Sequence, residues 1–134
     1  MAIVYTLEPG LTAAEFRAVL VASTLGERRP VDEPERLERM LRQADVIVTA
    51  RDGARLVGVS RAITDFAFCC YLSDLAVDVS YQNRGIGREL VAETQRAAGE
   101  AAMLLLIAAP AAEGYYPRIG MKHVDSCWLI PRSG

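Results

Sequence analysis

The chain has 134 residues, 15 basic and 17 acidic side chains, a formal net charge of −2, and is 51% hydrophobic and 24% charged. That length suits a single domain spanning residues 1–134 with one buried core, and the balance of charge excludes both a disordered chain and the basic footprint of a nucleic-acid binder. The longest apolar run, Ala101 to Pro110, is about half a bilayer span, and the opening residues Met1-Ala2-Ile3-Val4-Tyr5-Thr6 lack the pattern of a secretory signal, so no membrane partner and a cytoplasmic location are expected.

Ile3 to Glu8 reads as a first strand, closed by Pro9-Gly10. Thr12-Ala13-Ala14-Glu15 has the capping-box pattern that starts a helix, with Phe16, Val19 and Leu20 then falling on one face. Gly26 to Pro30 is a break, with Arg28 and Arg29 expected to be exposed in it. Asp32 to Gln43 reads as a second helix, with Pro34 in its first turn. The period then changes. Val46 to Val48 is strand-like, Asp52-Gly53 is a hairpin dipeptide, and Arg55 to Thr64 is the return strand. Phe68 to Val79 follows as a fourth strand. It holds Cys69 and Cys70, whose side chains must point to opposite faces; with Cys127 they make an odd set without metal-ligand spacing, so reduced thiols and no metal are expected. Gly85 to Ala98 has a helical pattern. Met103 to Ala108 is a continuous apolar run that suits a buried central strand. Glu113 to Ile119 reads as a short helix ending at Gly120, and Val124 to Ile130 as a last strand. Three consecutive strands followed by a strand–helix–strand unit predict an α/β (α+β) domain with a mixed, mostly antiparallel sheet covered by helices, not a doubly wound fold.

The most informative stretch is Gln82-Asn83-Arg84-Gly85-Ile86-Gly87-Arg88, where a strand runs into a glycine-containing turn and a helix begins. The first N–H groups of a helix lack partners within the helix and carry the positive end of its dipole, which suits an anion. Gly85 and Gly87 remove Cβ atoms that would hold a phosphate away, while Arg84 and Arg88 add charge. A plain strand–helix turn with glycines for close packing is the bland alternative. The Lys-Ser/Thr ending of a P-loop and the third glycine of a dinucleotide fingerprint are both missing.

Gln82-Asn83-Arg84-Gly85-Ile86-Gly87 resembles the Gln/Arg-x-x-Gly-x-Gly/Ala motif of the GNAT superfamily of N-acetyltransferases. Tyr71 to Asp78 is similar to that family's fourth strand. Ala112 to Met121 resembles its second motif, with Met121 where phenylalanine is usual. The resemblance covers essentially the whole chain. It implies a sheet of 6–7 strands flanked by about 4 helices and splayed between strands 4 and 5. It also implies acetyl-CoA as the acyl donor. The pyrophosphate would lie on the backbone from Gln82 to Arg88, and the pantetheine along Leu75, Ala76 and Val77.

Acyl transfer from a thioester to an amine needs a neutral amine, a stabilised oxyanion and a proton for the leaving thiolate. By the resemblance Tyr116 is the candidate acid, since an unperturbed tyrosine keeps its proton at neutral pH; Tyr115 is expected to pack. Asp74, at a position often acidic in the family, is the candidate base, with a structural carboxylate as the alternative. Arg28, Arg29 and Tyr71 border the expected acceptor side, where two arginines suit an anionic group on the acceptor.

The expected activity is direct transfer of an acetyl group to a primary amine of a small molecule or an exposed terminus, by a protein that could pair as a homodimer. A non-catalytic acyl-CoA sensor and a nucleotide-binding protein using the same turn are the competing readings.

Overall fold

The hydroxyl of Thr12 accepts the backbone N–H of Glu15 at 3.2 Å, and a helix starts one residue later, as the capping pattern predicts. The carboxylate of Glu15 turns instead to Arg51, at 2.8 Å, so only half of the capping box forms. In the computed structural model, which describes residues 2–134, the elements are β1 (Ile3–Leu7), α1 (Ala13–Ala22), α2 (Pro34–Arg42), β2 (Val46–Asp52), β3 (Arg55–Thr64), β4 (Cys69–Val77), α3 (Ile86–Ala98), β5 (Met103–Leu105) and α4 (Tyr115–Arg118). Short 3-10 turns lie at Leu25–Arg28, Val79–Tyr81 and Pro110–Ala112. The hairpin between β2 and β3 closes over Gly53 and Ala54, with Asp52 paired to Arg55 and Gly53 at φ 61°.

The sheet order is β1-β2-β3-β4-β5. The first four strands are antiparallel, and β5 joins β4 in parallel. Side chains alternate between two apolar layers. On one face Leu11, Phe16, Val19, Leu20, Leu37 and Leu41 of the α1/α2 layer pack on Ile47, Val59 and Ala76. On the other, Ile86, Leu90, Val91 and Ala98 of α3 pack on Val46, Val48, Ala62, Cys70 and Leu72. Cys69 is exposed while Cys70 is buried, the opposite-face placement expected of neighbours in a strand. Among the described residues no helix is long and apolar enough to cross a membrane.

The sheet has five strands among the described residues, rather than six or seven. Val124 to Ile130 forms no strand, and Trp128 and Ile130 are 93% and 94% exposed. Its apolar alternation meets the local requirement for a strand. A strand also needs a neighbour to take its backbone groups, and no ladder reaches this segment. The run from Met103 is likewise not central. β5 is an edge strand, with Leu104 partly buried on the α3 side and Met103 and Leu105 exposed on the other. An unbroken apolar run implies burial on both faces only where both faces are covered, and the α1/α2 layer does not cover β5.

Candidate active site

β4 ends at Asp78. Its Oδ1 accepts the backbone N–H of Ser80 at 2.9 Å and the Ser80 hydroxyl at 2.7 Å, and its Oδ2 accepts Arg55 at 2.9 Å. Burial opposes ionisation of this carboxyl, but the Ser80 and Arg55 bonds outweigh it and hold its pKa below the ordinary value. The chain then turns through Asn83 at φ 64° and Gly85 at φ 80°, left-handed conformations that asparagine and glycine tolerate best. α3 begins at Ile86 with no side chain capping it, and a Cβ built on Gly85 would meet nothing within 4 Å. The N–H groups of the first turn of α3 therefore face an open cradle, flanked by the exposed Arg84 and Arg88. Two members of the motif are structural through their side chains. Gln82 Nε2 donates back to the Val77 carbonyl at 3.1 Å, and Ile86 is buried in the core. Beside the turn, the Tyr81 hydroxyl donates to Asp52 at 2.7 Å while the guanidinium groups of Arg55 and Arg84 each lie 5.1 Å from its ring centre.

The strand leading into this turn has a free edge. β5 pairs with β4 only over Cys69–Tyr71, and from residue 72 to 77 no strand among the described residues lies on that side of β4. Ala76 is buried in the α1/α2 layer, and Leu75 and Val77 pack partly on the α3 side, so what this edge offers is backbone. Surface depressions of about 780 Å³ over Glu33, Arg36 and Arg39, and about 340 Å³ between α1 and Arg55, are lined by neither Asp74 nor Tyr116. The candidate site is the free edge of β4, outside both depressions.

Asp74 does not stand open to an acceptor. It is fully buried; Arg29 Nε donates to its Oδ1 at 2.5 Å and Arg61 Nε donates to its Oδ2. Arg29 also donates to the Ser73 carbonyl at 2.8 Å, and Arg61 to the Ser73 hydroxyl at 3.1 Å. Arg29 is thus drawn in from the loop, with its side chain only 22% exposed, whereas its neighbour Arg28 is exposed as expected. The loop's positive charge splits because one arginine finds a buried carboxylate and the other does not. Tyr71 lies in β4 opposite Ile63 and beside Leu105, on the open part of the α1/α2 face and partly exposed.

The second motif docks on the first. A Cβ on Gly87 would come within 2.5 Å of the Tyr115 hydroxyl oxygen, so the glycine makes room for that ring at the start of α3. The Tyr115 and Tyr116 rings meet edge to face, 5.2 Å apart at 78°. Tyr116 is half-buried, and its pKa is raised by burial first and by Tyr115 second, with Arg29 pulling the other way. Its hydroxyl is therefore protonated throughout the neutral range. Arg61 and Ser73 have no place in the motifs. Strand pairing, not local sequence, brings Arg61 to Asp74 and to the Ser73 hydroxyl.

The family model for the acetyltransferase (GNAT) domain matches residues 24–127. The chain belongs to the GNAT acetyltransferase family. Solved GNAT-fold structures resemble it over nearly their full length. A Deinococcus radiodurans R1 protein assigned to the acetyltransferases is 26% identical, with 96% of this chain and 87% of that chain covered and a TM-score of 0.74. A GNAT-family acetyltransferase of Streptococcus pneumoniae TIGR4 is 24% identical over 98% and 100%, with a TM-score of 0.77. An aminoglycoside N-acetyltransferase solved with the bisubstrate analogue CoA-S-monomethyl-acetylneamine shares the fold at 15% identity over 98% and 99%, with a TM-score of 0.74. No curated protein sequence matches the chain.

Proposed function

We propose that this GNAT protein is an acetyl-CoA-dependent N-acetyltransferase acting on a primary amine of a small molecule or an exposed terminus. The observation that carries the reading is the contact at Gly87, which fastens the segment holding Tyr116 to the start of the phosphate-binding helix. In this reading the two segments together present an anion cradle, a free strand edge and a protonated phenol. Backbone N–H groups from Gly85 to Arg88 hold the pyrophosphate, helped by Arg84 and Arg88, and the free edge of β4 at Leu75, Ala76 and Val77 takes the pantetheine as an added strand. Acetyl-CoA supplies the activated acyl carbon when bound there. The amine nitrogen bonds to that carbon as the carbon–sulfur bond breaks, backbone N–H groups near Leu75 and Ala76 stabilise the oxygen, and Tyr116 gives its proton to the sulfur. Asp74, with both oxygens held by guanidiniums, positions rather than accepts protons, and the amine loses its proton to water.

Tyr116→Phe tests this assignment: kcat for acetyl transfer falls by roughly 10²- to 10⁴-fold while the acetyl-CoA dissociation constant changes by less than about twofold. Equal losses in both would remove Tyr116 from the chemistry. The enclosed state of Asp74 favours a second reading, an acyl-CoA-binding sensor without turnover, in which wild-type protein binds acetyl-CoA and acetylates no amine in a broad panel. Binding of ATP as tightly as coenzyme A would instead support a nucleotide-binding protein. Relatives named for aminoglycosides share the fold only, so the panel should also include polyamines, amino acids and peptide N-termini.

A further inference from the structure

We propose that Arg61, together with Arg29, is a positioning residue for acyl transfer: the two guanidiniums pin a bulge in β4 at Ser73 and so set where the backbone of Leu75 and Ala76 faces the thioester. The inference rests on the reading above that the thioester lies along β4.

The register shows the bulge directly. Arg61 pairs with Asp74 and Ala62 with Leu72, so Ser73 is the extra residue opposite this step of β3. Its effect is to reverse alternation. Leu72 and Leu75 both face α3, and Asp74 and Ala76 turn together towards the α1/α2 layer. Without the extra residue, either Asp74 or Leu72 would lie on the wrong face, since a one-residue slip flips every side chain beyond it. A bulged residue leaves the ladder, so other groups must hold its backbone.

Here the groups are arginines. Arg29 takes the Ser73 carbonyl, Arg61 takes the Ser73 hydroxyl, and the two share the Asp74 carboxylate. Arg61 is tied back to the layer above, and Arg29 to its own loop. Arg61 Nη1 donates to the Met40 carbonyl near the end of α2 at 3.4 Å, and Arg29 Nη1 to the Arg28 carbonyl at 2.8 Å. The loop that delivers Arg29 is itself constrained. Thr24 sits at φ 73°, costly for a β-branched residue, and a Cβ on Gly26 would press to 3.2 Å on the backbone of Leu20 and Val21. A buried ionic triad adds little stability over well-packed apolar side chains, so its location is the informative fact. This one sits on the irregular step of β4, where β5 has just ended and the free edge begins.

The experiment uses the full chain, acetyl-CoA and the best amine from the panel. Arg61→Lys keeps the charge and loses the planar fork that reaches Asp74 and Ser73 together. The expected result is a 10- to 100-fold fall in kcat with an unchanged acetyl-CoA dissociation constant, of the order that a small misplacement of reacting groups produces. Amide chemical shifts of residues 73–76 should move while those of the Gly85–Arg88 turn stay in place. A folded Arg61→Lys with wild-type kcat, or one whose coenzyme A affinity falls as much as its kcat, overturns the proposal. Ser73→Ala deletes a single hydroxyl contact and decides the matter if Arg61→Lys does not fold: a several-fold fall in kcat at unchanged affinity supports the proposal, and wild-type kcat overturns it. Failure of the wild-type protein itself to bind acetyl-CoA or turn over any amine refutes the underlying function instead.

Discussion

The chain up to Ala98 and the chain after it are built differently. Before Gly99 the strands and helices enclose two apolar layers, and the buried polar groups are paired. From Gly99 onward no described side chain is fully buried, and the only regular elements are a three-residue edge strand and two short helical turns. The candidate site spans the two. The proposed anion cradle and the strand edge belong to the first region, and Tyr116 to the second. In the proposed reading, donor binding rests on the regular elements, while the group assigned to the leaving thiolate rides on a thin segment fastened through Tyr115 at Gly87.

Substitutions in the two regions should differ most in stability. Phe16 is fully buried, and Phe16→Ala should destabilise by about 3–5 kcal/mol in urea unfolding, since it removes a large apolar group and leaves a cavity. Ile130 is 94% exposed, and Ile130→Ala should fall within about 0.5 kcal/mol of wild type. A comparable loss at both positions would mean that the C-terminal segment packs against the sheet in solution and that the contrast is wrong.

A second join between the regions is the turn from β3 to β4. Oδ1 of Asp65 accepts the backbone N–H groups of Ala67, Phe68 and Cys69, and the carbonyl of Phe68 then accepts the N–H of Met103, which starts β5. Those bonds, Ala67's first, lower the Asp65 pKa from 3.8 to about 2. A carboxyl with a depressed pKa in the folded state contributes stability that is fully present above its unfolded value and is lost as pH falls through the folded one. The turn should thus hold at neutral pH and loosen between about pH 4 and pH 2. A carboxylate carbon titration should show a midpoint near 2 for Asp65, with amide exchange at Ala67 to Cys69 and at Met103 rising over the same window. An ordinary midpoint near 3.8 would remove this turn as the anchor of β5.

What could be read beforehand follows the same division. The Thr12 cap, the Asp52-Gly53 hairpin and the Gly85 helix start depend on chemistry within a few residues, and each stands where the sequence predicts a boundary. The cradle was legible for that reason. The partners of Asp74 were not, because Arg29, Arg61 and Asp74 are brought together by strand pairing and a loop far apart in the chain. β5 and the segment after Lys122 were misread for a related reason. An apolar run and an apolar alternation record what a strand would bury, and whether anything lies opposite is a property of the whole sheet.

Trp128 offers the gentlest test of the contrast, because it reports without any substitution. It is the sole tryptophan, so indole emission, excited selectively over tyrosine, comes from one place in the weakly built region. At 93% exposure its indole meets water on nearly all sides. Its emission should lie close to that of free indole in water, and iodide should quench it almost as well as it quenches a short tryptophan peptide. Addition of acetyl-CoA should leave both unchanged, because the cradle and the free edge of β4 lie in the other region. A blue-shifted, shielded emission in the free protein would mean that residues 124–130 find a neighbour in solution. A shift appearing only with acetyl-CoA would mean that donor binding draws this segment onto the site, and the two regions would then be coupled through more than the β4–β5 ladder and the contact at Gly87.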